Sequence, residues 1–365
     1  SLHDALPILL TDSASIYNAA GNILIEPAGS NGYFKNYKEL AANKNFIILS
    51  SKKLWNAAID YANYRDSSGY QTYLADVDEL YDQFSWGIRK HPLSIRNYAD
   101  FLLDNLNPKP VYLLLLGKGV MSNEARKKDY QYNLVPTFGE PASDMMFTSH
   151  LNTSRFVPEL ATGRIAAVND TDLTNYLQKL RTYEAAQSVQ PPQEWMKRVL
   201  HFGGGSNFDE QFEISGKLSI YKNIIEDTLF GGQVVTFLKN STDPIQVNQS
   251  QYLKSLIDDG CSMMTFYGHA AGSGFDISTD APENYTNYGK YPVVLAQSCY
   301  VGNIHSSARL LNERFVLAKD KAAIAFLAVA DKAYVEDLDI YSTRLHKQLF
   351  RYHYGSTLGE SMKST

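Results

Sequence analysis

Hydrophobic positions along this chain carry two alternating signatures. Short continuous runs of branched and aromatic residues, such as "NFIILS" at 45–50 and "PVYLLLLGKG" at 110–119, alternate with stretches whose apolar residues recur every three or four positions, as at 52–69 and 94–106. The first kind predicts strands buried on both faces, and the second predicts amphipathic helices. The helical pattern at 52–69 stops at Gly69, and "YQTYLADV" at 70–77 reads as the next strand. Strands that alternate with helices in this way imply a parallel sheet. A long irregular passage over 121–169 and a strong helix over 170–187 follow. The proline-bearing "SVQPPQEW" at 188–195 is then the best candidate boundary. Beyond it the alternation restarts, with strands at 197–205, 233–238, 262–268, 291–298 and 322–330 and helices at 214–230, 251–260 and 307–320. The expected fold is therefore α/β, in two consecutive units with mainly parallel sheets flanked by helices. The units divide into a lead-in over 1–40, a first unit over 41–188 and a second over 189–365.

Both ends read as cut. "SLHDALPI" resembles a translated adapter scar, and "YGSTLGESMKST" reads as a helix beginning after a Ser/Thr cap with more chain expected to follow. The 365 residues are 44% hydrophobic and 20% charged, the composition of a packed globule. A net charge of −5 supplies no basic field, so nucleic acid is not an expected partner. The most apolar stretches are strand-length and too short to span a bilayer.

The two cysteines, Cys261 and Cys299, cannot make a disulfide framework. Cys261 opens the strand that ends near Gly268, whereas Cys299 closes its own strand. If those strands are parallel, the thiols lie a strand length apart, roughly 20 Å, and both are free. Cys299 and His269 are instead placed alike, each ending an apolar run: "SMMTFYG" before the imidazole and "YPVVLAQS" before the thiol. Reacting groups of open parallel sheets collect beyond the carboxyl ends of the strands. Neighbouring strands are about 4.8 Å apart, so the two side chains can face one volume. An imidazole there raises the thiolate fraction and can protonate a leaving amine. Gly268, Ala270, Ala271, Gly272 and Gly302 leave room for a substrate backbone.

"TFYGHAAGSGFD" and "YPVVLAQSCYVGNIHS" resemble the His and Cys segments of the gingipain-type cysteine peptidases, the C25 family of the caspase-like clan, and most closely those of the type IX secretion system sortases. The resemblance extends over most of the chain, with "TGRI" followed by "LTNYLQKLRTYE" as a fairly specific marker. It implies a caspase-like second unit, Cys299 as nucleophile, His269 as general base and acid, and an oxyanion hole from the backbone N–H groups of Ala270 and Cys299. The family usually has Gly where this chain has Ala270, and commonly Gly-Asp-Gly where this chain has Gly117-Lys118-Gly119. Asp144 matches a family carboxylate that approaches the site from the first unit, with Glu140 as the competing carboxylate for a substrate-binding or orienting role.

The implied function is a cysteine endopeptidase, a sortase that removes carboxyl-terminal sorting signals from exported proteins at the outer-membrane or extracellular surface, with other secretion-system components as partners. The rivals are a degenerate cargo-binding scaffold and a secreted general protease. No cofactor is required. "GKG" lacks the ending of a phosphate loop, "HFGGGSNF" lacks the dinucleotide spacing, and His305 has no companion at zinc spacing. The acidic loop "DISTDAPENY" has oxygens for calcium but no ligand frame.

Overall fold

The computed structural model describes residues 32–125, 129–149, 156–248, 250–271 and 274–365. Two parallel sheets form its frame. The first has strands β1 (Phe46–Ser50), β2 (Thr72–Asp76), β3 (Tyr112–Leu116) and β4 (Ala161–Ile165) in the order β2-β1-β3-β4. Phe46 lies level with both Thr72 and Tyr112, and Tyr112 with Ala161. The predicted strands at 45–50, 70–77 and 110–119 are therefore present. The "TGRI" segment supplies β4. One helix that apolar periodicity did not announce, Val77–Phe84, starts directly on β2, because the Asp76 carboxylate accepts the Asp78 amide and caps it.

The second sheet holds β5 (Arg198–Gly203), β6 (Gln233–Leu238), β8 (Met263–Tyr267), β12 (Val293–Gln297) and β13 (Ala325–Ala328) in the order β13-β12-β8-β5-β6. Two-residue strands β7 (Gln246–Val247) and β11 (Ile277–Ser278) pair with each other, and β9 (Ala270–Ala271) pairs with β10 (Gly274–Phe275). Chain order reverses between β5 and β8: β6 is laid on one side of β5 and the later strands on the other. The crevice at such a switch point is where parallel α/β sheets place their chemistry.

Alternation along the central strands buries both faces. Leu200, Phe202, Met264, Phe266 and Val294 pack with Leu253 and Phe315, under helices Gln251–Asp258 and Leu311–Leu317. Val199, Met263 and Leu295 face the other way, onto Ile224, Ile225 and Leu345 of helices Phe208–Ile225 and Val335–Lys347.

The sheets share a core, since Ile48, Leu114, Leu116, Leu173 and Leu177 meet Tyr291, Leu317 and Ile324. Polar groups reinforce this seam. The fully buried Lys179 ammonium donates to the Phe315, Val316 and Ala323 carbonyls at 3.4, 2.9 and 2.7 Å, and burial pushes its pKa down to about 7. Among the described residues no helix is long and apolar enough to cross a membrane.

Candidate active site

Cys299 follows β12 by two residues, as His269 follows β8. The strands are neighbours in register, Gln297 beside Tyr267, and the Gly268 amide donates across to the Gln297 carbonyl at 3.3 Å. Thiol and imidazole thus leave equivalent positions on adjacent strand ends. The chain turns sharply just after the thiol: Tyr300 sits in the left-handed region (φ 60°), and the Val301 amide folds back to the Cys299 carbonyl at 2.7 Å. Non-glycine residues adopt this conformation only where the surroundings enforce it. Here the Tyr300 and Gly302 amides are drawn to the Asp331 and Val329 carbonyls, at 2.9 Å each. The half-buried Cys299 Sγ accepts the Ala333 amide at 3.4 Å and lies 3.5 Å from the Ala333 carbonyl. Among the described residues no hydrogen bond joins this sulfur to His269.

The His269 ring is more than half exposed, and its Nε2 meets Glu210 Oε1 at 2.8 Å. Glu210 lies in the first turn of helix Phe208–Ile225, whose N-cap Asn207 accepts the Glu210 amide at 3.0 Å. Burial pushes the Glu210 pKa up, but the Ser206 hydroxyl and amide, at 2.6 and 2.7 Å, together with His269 hold it below the usual carboxylate range. An imidazole with Nε2–H on a carboxylate keeps Nδ1 free as a base, the orienting logic of nucleophile–base pairs. Sequence periodicity missed Glu210 because it starts this helix at 214. The available signal was the Asn207-x-x-Glu210 spacing of a helix start.

The hairpin β9–β10 carries the chain away from His269, with Ala270 level with Phe275. Phe275 stacks on Phe266 of β8 at 4.1 Å between ring centres, and Phe266 on Phe202 at 4.5 Å. Burying one such ring contributes about 2 kcal/mol, which ties the loop after the imidazole to the sheet beneath it.

The first-unit carboxylates have partners of their own. Asp144 is held bidentately by the buried Arg164 of β4, at 2.6 and 2.8 Å, and accepts the Thr137 hydroxyl at 3.2 Å. Burial pushes its pKa up, but Arg164 outweighs that and holds it below the usual range. Arg164 also donates to the Gly117, Val135 and Pro136 carbonyls, so Asp144 completes a pin of the loops above β3 and β4. Glu140 accepts the Asn123 side chain at the surface. Lys118 is sealed from solvent and ion-paired to the equally buried Glu313 at 2.6 Å, across the two units. The Lys in the Gly-Lys-Gly segment therefore has a partner on the helix that follows the Cys299 loop. His305 is buried, its pKa pushed down to about 4 by burial.

Among the described residues no three His, Cys, Asp or Glu side chains gather at metal-ligand spacing. The acids of the 276–285 loop have protein partners: Asp276 takes backbone amides, Asp280 takes the Ala281 amide and the Asn284 side chain, and Glu283 pairs with Arg314. Cys261 is fully buried before β8, and burial pushes its thiol up to about 12. A cavity of 1380 Å³ runs between β4 and β13 and is lined by Gly163, Leu327 and Ala333, but not by Cys299 or His269.

Two parallel sheets with a thiol and an imidazole on adjacent strand ends describe a cysteine-peptidase scaffold. The chain matches peptidase family C25 over residues 39–365 and belongs to that family of cysteine peptidases. Its fold is that of the Arg-specific cysteine proteinase gingipain R (RgpB), at 14% identity and a TM-score of 0.68 over 93% of this chain and 78% of that one. The complex of Porphyromonas gingivalis RgpB pro- and mature domains matches at 13% identity and a TM-score of 0.67, over 88% and 77%. Dimeric latent PorU from P. gingivalis matches at 20% identity over 44% of this chain and 19% of that one, with a TM-score of 0.35, below what a shared fold requires. No curated protein sequence matches the chain significantly.

Proposed function

We propose that this cysteine peptidase is an endopeptidase that works through Cys299 and His269, with Glu210 holding the imidazole. The observation that carries the proposal is the matched register of the two strand ends, reinforced by the Glu210 carboxylate on Nε2. His269 Nδ1 takes the thiol proton as Cys299 Sγ attacks a peptide carbonyl. The resulting oxyanion is met by the backbone N–H groups of Ala270 and Cys299. Collapse breaks the C–N bond, the imidazolium returns its proton to the departing amine, and a thioester remains. Water or a second amine then takes the acyl group and restores the thiol. In this step Sγ exchanges its contacts with the Ala333 backbone for the imidazole.

We further propose that the substrates are exported proteins whose carboxyl-terminal sorting signals are removed at the outer-membrane or extracellular surface. The resemblance of the His and Cys segments to secretion-system sortases supports this reading. Asp144 braces the site through Arg164, and Glu140 remains available at the surface.

The test combines a thiol-reactive peptide probe with processing of a sorting-signal substrate by the parent, Cys299→Ala and His269→Ala proteins. Probe attachment at Cys299 and processing by the parent alone are expected. Equal processing by all three would remove the assignment. Cargo retained without processing by any would make the protein a docking scaffold, and indiscriminate digestion of unrelated proteins would make it a general protease.

A further inference from the structure

Two glycines beside the site have a steric reason to be glycine, to which Gly268 adds a φ of 159° that side-chain-bearing residues rarely adopt. A Cβ on Gly204 would collide with the Asp276 carboxylate, and one on Gly268 would lie 2.7 Å from Asp276 Oδ1. Both clear a path for one buried side chain. Asp276 follows hairpin β9–β10 and is 6% exposed. Its Oδ1 accepts the His269 amide at 3.1 Å and its Oδ2 the Gly205 amide at 2.7 Å. Its own amide donates to the His269 carbonyl at 2.9 Å, and its carbonyl accepts the Gln246 amide at 2.8 Å. The buried Lys239 ammonium, just past β6, lies 3.8 Å from Oδ2.

We infer that Asp276 is a positioning residue for the imidazole, clasping the β5 and β8 loops so that His269 and Glu210 meet. The contacts form a closed ring: Asp276 holds Gly205, the next residue Ser206 holds Glu210, Glu210 holds Nε2 of His269, and the His269 amide returns to Asp276. The two oxygens of one carboxylate thereby fix the separation of loops that diverge at the switch point. The last ladder contacts beneath the clasp are the Gly204 amide on the Tyr267 carbonyl at 2.7 Å and the Gly268 amide on the Gln297 carbonyl at 3.3 Å, and beyond them the carboxylate carries the join. Lys239 balances the charge that this clasp keeps out of water. An amide side chain cannot replace it, because its –NH2 would face one of the two N–H donors.

This inference rests on His269 acting as the base, and its test separates the two ideas. Asp276→Asn leaves Lys239 buried without a counter-charge and can fail to fold, so Asp276→Asn/Lys239→Met is made beside it, with both variants checked by thermal unfolding. The readouts are nitrogen-15 spectra of the His269 ring, kcat and KM on a peptide substrate, and hydrogen exchange of the His269 and Gly205 amides in the parent. The parent should show one tautomer, protonated at Nε2, and slow exchange of both amides. The folded variant should show mixed tautomers and a kcat lower by about a hundredfold with KM nearly unchanged, the effect of a misplaced base. An unchanged ring spectrum in a folded variant, or fast exchange of both amides in the parent, would overturn the clasp. A parent that cleaves nothing, yet whose ring spectrum responds to Asp276→Asn/Lys239→Met, would leave the clasp standing and sink the peptidase role of His269.

Discussion

Acid should weaken this protein through a histidine pair that takes no part in the chemistry. His201 of β5 and His346 of helix Val335–Lys347 are fully buried with ring centres 6.5 Å apart, and His346 stacks on Tyr221 at 4.6 Å. His346 Nδ1 lies 2.7 Å from the Ser342 carbonyl, but among the described residues neither nitrogen of His201 nor Nε2 of His346 has a partner. Burial pushes His201 down to about 3, helped by His346 and Lys222, and His346 down to about 4. Both pKa values are lower folded than unfolded, so protons bind the unfolded chain. The stability at stake is fully present above the unfolded value near 6.5 and is lost as pH falls toward the folded values. At pH 5 an unfolded imidazole is favoured by its proton by about 2 kcal/mol, and the folded rings gain almost nothing, so the pair should cost about 4 kcal/mol. Carboxylates that burial raises, such as Glu313 and Asp78, are common to parent and variant, so the comparison between the two isolates the histidine pair. His305, at about 4, adds a share of the same sign. The assay is urea unfolding at both pH values for the parent and for His201→Leu/His346→Leu. The difference between pH values should shrink by about 4 kcal/mol in the variant. A pH dependence unchanged within about 1 kcal/mol would mean that these rings are solvated or paired, and the reasoning would fail.

Three further outcomes follow from single contacts. Lys118→Met strands the buried Glu313 carboxylate and should destabilise the protein by about 3–5 kcal/mol in urea melts, with Lys118→Met/Glu313→Leu recovering much of the loss. Glu210→Gln should lower kcat about tenfold or more with little change in KM, because Gln neither fixes the His269 tautomer nor stabilises the imidazolium; equal kcat would make the contact incidental. Cys261→Ser should leave probe attachment at Cys299 unchanged, since a thiol pushed up to about 12 in the core is not a nucleophile; loss of attachment would count against Cys299.

What the sequence discloses is what local pattern controls. Continuous apolar runs announced all five strands of the second sheet and three of the first, because a strand buried on both faces leaves no polar positions to confuse the period. β4 was the exception. "ATGRI" alternates around an arginine, and Arg164 belongs in a strand only because five oxygen partners await its guanidinium across the chain. Cys299 and His269 stood out because each ends such a run. Glu210, which meets the His269 ring, did not, since exposed Phe208 and Phe212 blur the periodicity at the start of its helix.

Asp276 was harder still. In sequence it is one acid in a polar loop, with nothing to separate it from Asp280 or Glu283, which the fold spends on a turn and on a surface pair with Arg314. What distinguishes it is the space left by two glycines, one of them 72 residues away in the chain. A triple glycine after β5 reads as a loose turn until the fold shows what it admits. Gly204 makes room for a carboxylate, and that carboxylate takes the Gly205 amide and thereby sets the loop that delivers Glu210 to the imidazole. Residues proposed here to carry the chemistry thus announce themselves at strand ends, while those proposed to aim it are defined by pairings between distant loops, which no local period encodes.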